Sequence, residues 1–132
     1  MGNNSSAAVY EKNRVKPDEN FDATLYYFAG RGIADQIRWM LAYSNISFTQ
    51  KTITQKAQLI KLAERQLPFG QLPLLQIDGK ELVQSQAIIR YIAKREHLCG
   101  LNLDEETACD MIAETIRGIS QTYYTVYLDT SY

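Results

Sequence analysis

The chain has 132 residues, 45% of them apolar and 22% charged, which is room for one domain with a real core and little beyond it. Its 14 Lys and Arg against 15 Asp and Glu leave a formal net charge of −1, so there is no electrostatic case for nucleic acid or an anionic surface. No segment approaches the ~18 apolar residues of a membrane span, and Cys99 and Cys109 fit no CxxC or zinc spacing, so a cytoplasmic, reducing setting without a bound metal is expected.

Residues 1–22 are rich in Asn, Ser and charge and show no periodicity, which predicts a disordered extension. Its first residues, Met1-Gly2-Asn3-Asn4-Ser5-Ser6, fit the M-G-x-x-x-[ST] pattern and make Gly2 a lipidation candidate; the alternative is simply a polar start. One acyl chain gives only weak, reversible membrane association, and Lys12, Arg14 and Lys16 are offset by Glu11, Asp18 and Glu19. Structure is expected from Thr24, where Leu25 to Phe28 form a short strand ended by Ala29-Gly30-Arg31-Gly32. Ile33, Ile37, Met40 and Leu41 then recur at helical spacing. A second strand is read over 46–53 and a short helix over 55–65. Leu67-Pro68-Phe69-Gly70 breaks the chain before the apolar run Leu74, Leu75, Ile77, and Asp78-Gly79 supplies the type I′ turn into a return strand over 80–84.

Ser85 reads as the N-cap of a buried helix carrying Ala87, Ile88, Ile89, Tyr91, Ile92 and Ala93, closed at Cys99-Gly100. The order βαβαββα over 23–100 is that of an α/β, thioredoxin-like domain. Over 101–132, Asp104 is expected to cap a further helix whose stripe Ala108, Met111, Ile112, Thr115, Ile116 and Ile119 is apolar. After Gly118 the pattern decays into the tyrosine-rich 123–127.

Three segments in this order and spacing resemble the sigma class of glutathione transferases: Leu25 to Gly32, Pro68 to Pro73, and Asp78-Gly79 followed by Gln84-Ser85-Gln86-Ala87-Ile88. The resemblance covers about residues 24–118 and implies a thioredoxin-like glutathione-binding domain followed by the start of an all-helical domain. It also implies a glutathione transferase that activates the glutathione thiol as thiolate for attack on hydrophobic electrophiles, with glutathione as co-substrate, no cofactor, and a homodimer as the working form. Tyr27 matches the phenol whose hydroxyl stabilises the thiolate, while Tyr26, on the other strand face, is a packing residue. Gln71, Leu72 and Pro73 match the cis-proline element, in which the Leu72 backbone pairs with the cysteinyl part of glutathione. Gln84 and Ser85 match the pair holding the γ-glutamyl carboxylate; read without the family, a hydroxyl and free N–H groups at a helix N-terminus already make an anion site. Asp110 matches an acid that reaches the γ-glutamyl ammonium of a neighbouring subunit, its alternative being a solvated helix face with Glu114 and Arg117.

The chain departs from the pattern in three places. Ile33 stands where some related classes carry an arginine that assists the tyrosine, and Arg31 is the nearest cation in sequence. The Trp-Pro expected after the second strand is missing, which leaves Lys61 as the counterpart of the family's glutathione-binding lysine. Only one helix follows the linker, where the family carries five or six that shape the electrophile pocket. A second reading is therefore a catalytically impaired, shortened transferase acting as a glutathione-binding or protein-interaction module. Thiol–disulfide exchange is opposed by the lack of a cysteine at the start of the first helix.

Overall fold

The computed structural model describes residues 23–128; the expected 1–22 extension and Gly2 lie outside the described residues. The chain divides into two compact units, the first ending at Glu96 and the second starting at His97. In the first unit the elements run β1 (Ala23–Phe28), α1 (Ala34–Tyr43), β2 (Phe48–Ile53), α2 (Lys56–Gln66), β3 (Leu74–Ile77), β4 (Lys80–Val83) and α3 (Ser85–Arg95). The strands form one sheet in the order β2-β1-β3-β4. β1 and β2 are parallel, a pairing that needs a crossover, which α1 supplies; β3 runs antiparallel to β1, and β4 antiparallel to β3. This mixed sheet with helices packed on it is the thioredoxin-like arrangement.

The period-two alternation of the strands sorts the core into two layers. Ala23 and Leu25 of β1 and Leu75 and Ile77 of β3 meet Ile37 and Leu41 of α1 and Ile88 and Ile92 of α3. Leu74 belongs to a second cluster with Tyr26, Ile53 and Val83, covered by Leu59, Leu62 and Ala63 of α2. Each fully buried Leu or Ile contributes about 1.5–3 kcal/mol, so the sheet is clamped from both sides. The β3–β4 turn has positive φ at both Asp78 (53°) and Gly79 (69°), as type I′ requires. Asp78 is tied back to α3: its carboxylate accepts from Tyr91 Oη at 2.6 Å and from Arg95 Nε at 2.8 Å. Burial, and then the bond to Asp78, push the Tyr91 phenol up to about 12.

Several boundaries differ from the sequence expectation, each for a backbone reason. Ile46 does not open the second strand; its N–H bonds Leu41 O at 2.9 Å and closes α1, after Asn45 takes a positive φ of 54°. Ser85 is not the N-cap of α3: Gln84 leaves β4 at φ 70° and caps the helix, so Ser85 is already its first residue. The same helix stops at Arg95 rather than near Cys99, because His97 adopts the left-handed conformation (φ 56°) expected of Gly100.

The second unit holds α4 (Leu103–Leu128). Asn102 rather than Asp104 caps it: Asn102 Oδ1 accepts from Glu105 N at 3.0 Å, and Glu105 Oε2 accepts from Leu101 N at 2.7 Å. The helix continues through Gly118 and the tyrosine-rich stretch. A single interior glycine costs only about 1 kcal/mol, and Thr107, Thr115, Thr122 and Thr125 each donate to the carbonyl four residues back. Met111, Ile112, Ile116 and Ile119 stand exposed along it.

Candidate functional site

The sheet register converges on one end of β1. Thr24 to Tyr26 pair with Gln76 to Leu74, and Leu74 pairs with Val83. Continuing both registers by one residue brings Tyr27, Pro73 and Gln84 into a single row across three neighbouring strands. The Leu72–Pro73 peptide at this row is cis. Leu72 and Pro73 are buried, whereas Gln71 and Gln84 are exposed. Immediately after the row, Ser85 opens α3, whose first-turn N–H groups have no partner within the helix and present its positive end. A phenol, an extended backbone segment and a helix N-terminus thus lie side by side. Together they can hold a peptide-like ligand, an anion and a reactive group close to a hydroxyl donor.

Tyr27 is half-buried against the cluster of Leu67, Leu72 and Leu74. The turn that follows β1 packs on its hydroxyl: a Cβ built on Gly32 would lie 2.5 Å from Tyr27 Oη. Gly32 also has φ 47°, a conformation that side-chain-bearing residues rarely adopt, so glycine is required there twice over. Arg38 of α1 brings its guanidinium carbon to 5.9 Å from the Tyr27 ring centroid. Arg38 Nη2 donates to Gly30 O at 3.0 Å, Nη1 to Arg31 O at 3.1 Å and Nε to Gln50 Oε1 at 2.7 Å, and Nη1 also pairs with Asp35.

Arg31, the cation nearest Ile33 in sequence, does not take this place. Its side chain is 91% exposed and pairs with Asp35 at 3.4 Å. Sequence reasoning missed Arg38: Asp35 and Arg38, three residues apart on α1, read as an ordinary helix-surface ion pair, and nothing in the sequence ties Arg38 to Tyr27.

Lys61 lies on α2 at a groove of about 540 Å³ that it shares with Tyr26, Lys51 and Arg65, not with Tyr27. Lys51 Nζ donates to Tyr26 Oη at 3.3 Å, and Tyr26 Oη in turn donates to Gln76 Oε1 at 3.1 Å. Asp110 belongs to the second unit, where it is exposed on α4 beside Glu106, Met111 and Glu114. Among the described residues, no three or more His, Cys, Asp or Glu side chains are grouped to hold a metal ion, and no helix is long and apolar enough to cross a membrane.

Residues 23–94 match the family described as "Glutathione S-transferase, N-terminal domain". The chain is 42% identical over 91 residues to glutathione S-transferase alpha-4 of Rattus norvegicus, a match covering 68% of this chain and 41% of that protein. Among solved structures it resembles a Nu-class GST from Haemonchus contortus, with 35% identity, TM-score 0.66, and coverage of 75% of this chain and 48% of that one. The prostaglandin synthase D of Nilaparvata lugens is similar at 31% identity and TM-score 0.66, with coverage of 80% and 52%. The chain spans less than half the length of the curated relatives it matches, with 45% and 41% of their residues covered in two of them.

Proposed function

Because the chain belongs to the glutathione S-transferase family, we propose that its first unit binds glutathione along the row of Tyr27, Pro73 and Gln84 and activates the glutathione thiol. The observation that carries this reading is the convergence at one sheet end of Tyr27, the cis Leu72–Pro73 peptide and the start of α3. Thiols react as thiolates, so the site must favour the deprotonated sulfur. The Tyr27 hydroxyl donates a hydrogen bond to that sulfur. A neutral-to-charged hydrogen bond contributes about 1.5–3 kcal/mol, which lowers a thiol pKa by roughly 1–2 units. The thiol proton passes to solvent; the sulfur lone pair then forms a C–S bond to an electrophilic carbon of an apolar substrate, and the leaving group or the adjacent π system takes the displaced pair.

Binding follows from the same frame. The backbone N–H and C=O of Leu72 pair with the cysteinyl unit as an added strand. Gln71 flanks that segment. The Ser85 hydroxyl and the N–H groups of the first turn of α3 receive the γ-glutamyl carboxylate, with the Gln84 side chain beside it. Lys61 is the candidate for the glycyl carboxylate, and Asp110 for the γ-glutamyl ammonium of a neighbouring subunit in a homodimer. Within the family, the sigma-class reading rests on the Leu25–Gly32 and Pro68–Pro73 segments and is supported by the likeness to the N. lugens prostaglandin synthase. The rat relative carries an alpha-class name.

Calorimetric titration of glutathione into the chain tests the proposal. Ser85→Ala is expected to weaken binding by about tenfold, the worth of one charge-assisted hydrogen bond. Tyr27→Phe should leave binding close to unchanged and raise the pKa of the bound thiol by about 1–2 units. A folded chain that takes up no glutathione overturns the reading. The protein-interaction reading, motivated by exposed Met111, Ile112, Ile116 and Ile119 on α4, then stands in its place, and light scattering showing a clean monomer would sink it.

A further inference from the structure

The geometry points to Arg38 as the positioning residue that sets the Tyr27 hydroxyl for its work on the thiol, an inference that rests on the proposed role of Tyr27. Four observations converge on it. Its guanidinium carbon stands 5.9 Å from the Tyr27 ring centroid, within the range where a cation is attracted to the ring face. Two of its N–H groups are spent on the carbonyls of Gly30 and Arg31, at 3.0 and 3.1 Å. Two more are engaged, by Asp35 on its own helix and by Gln50 of β2. Finally, the turn it pins delivers the backbone of Gly32 against Tyr27 Oη.

These contacts make Arg38 a part of the scaffold rather than a ligand for substrate. A guanidinium offers five N–H donors in a fixed planar fork, and here that fork joins three elements: α1, β2 and the turn after β1. The two pinned carbonyls immediately precede Gly32, so the position of one wall of the Tyr27 hydroxyl depends on Arg38. Its charge acts on the ring as well. A cation over the face withdraws electron density and favours the phenolate character that a strong hydrogen-bond donor develops. Among the described residues, Arg38 is the charged group set against the ring; its partner Asp35 also pairs with Arg31, whose side chain is 91% exposed. Ile33 contributes no charge. Arg38 is only 19% exposed, so its field is screened far less than that of Arg31.

The test compares Arg38→Met, Arg38→Lys, Gln50→Ala and Tyr27→Phe in the full chain. Ring-labelled tyrosine followed by NMR reports the Tyr27 phenol titration, assigned by its loss in Tyr27→Phe; ultraviolet absorbance of the thiolate reports bound glutathione. Arg38→Met is expected to raise the Tyr27 phenol pKa and the bound-thiol pKa by about one unit each, the lower end of the effect of a cation at this range. Arg38→Lys, which keeps charge but loses the planar fork, should fall between. In a Tyr27→Phe background, Arg38→Met should produce no further change in the thiol. If Arg38→Met lowers thermal stability while both titrations stay put, Arg38 is merely structural and the inference is overturned. Should Arg38→Met fail to fold, Arg38→Lys and Gln50→Ala carry the same decision, an unmoved Tyr27 titration in both overturning it. A shifted Tyr27 titration in a chain that binds no glutathione supports the positioning role and sinks the glutathione reading instead.

Discussion

Replacing Gly32 by alanine measures how closely the backbone is set against the Tyr27 hydroxyl. The new Cβ would stand 2.5 Å from Tyr27 Oη and 3.3 Å from two ring carbons. Non-bonded heavy atoms settle at about 3.5 Å, so either the hydroxyl or the turn must retreat by about 1 Å. Two costs combine. The left-handed backbone at Gly32 (φ 47°) costs a side-chain-bearing residue about 1–2 kcal/mol, and forcing a methyl into an occupied space costs about 1–3 kcal/mol. Gly79→Ala separates them, because Gly79 has φ 69° and its Cβ would meet nothing within 4 Å. In urea denaturation Gly32→Ala should therefore lose about 1–3 kcal/mol more than Gly79→Ala. The displaced hydroxyl also moves off the bound sulfur, and the thiol pKa should rise by up to about 1–2 units, the worth of the full hydrogen bond. Equal destabilisation of the two variants, with the thiol titration unmoved, would refute the packing of Gly32 on Tyr27 and the role built on it.

Tyr91 gives a pH test. Its folded pKa of about 12 lies above the ordinary 10.0, so the folded state holds the phenol proton more tightly than the unfolded chain does. That contribution to stability is complete below pH 10 and is lost as pH rises through about 12. The urea midpoint should accordingly fall across that window, and Asp78→Asn should flatten the slope by removing the carboxylate that accepts from Tyr91. Leu25→Ala, at a fully buried position between α1 and α3, should cost about 2–5 kcal/mol in the same assay; a loss below about 1 kcal/mol would contradict the core described for the first unit.

Much of the first unit was legible in the sequence because its signals are local. The aromatic and apolar run Leu25–Phe28, ended by Ala29-Gly30-Arg31-Gly32, and then the helical spacing over Ile33–Leu41 mark β1 and α1, and Asp78-Gly79 announces the hairpin with the turn chemistry it uses. With the second strand over 46–53, the short helix over 55–65 and the helix after Ser85, these marks make up the order βαβαββα. Caps were misread because they depend on single backbone angles: Gln84 and His97 adopt positive φ, which their residue types do not advertise, and each moves an end of α3. Arg38 was invisible for another reason. Between Ile37 and Trp39 it reads as a solvent-facing helix residue. Its role exists only once the chain folds back and brings Gln50 and the Gly30 and Arg31 carbonyls around it. Tertiary convergence of that kind leaves no trace in a local window.

The β3–β4 hairpin acts as a ruler. The reach from the Asp78-Gly79 turn to Gln84 and Ser85 is a count of residues, each advancing about 3.3 Å and turning the side chain to the opposite face. One residue gained or lost in β4 would slide the start of α3 along the sheet and invert which side chains meet Tyr27, even though no residue of the row had been replaced. Insertions and deletions in this short return strand are thus a more severe class of change than substitutions there. The ruler's zero mark is held by the clasp of Asp78 on Tyr91 and Arg95, so the tolerance of the site is set in part at the far end of the hairpin.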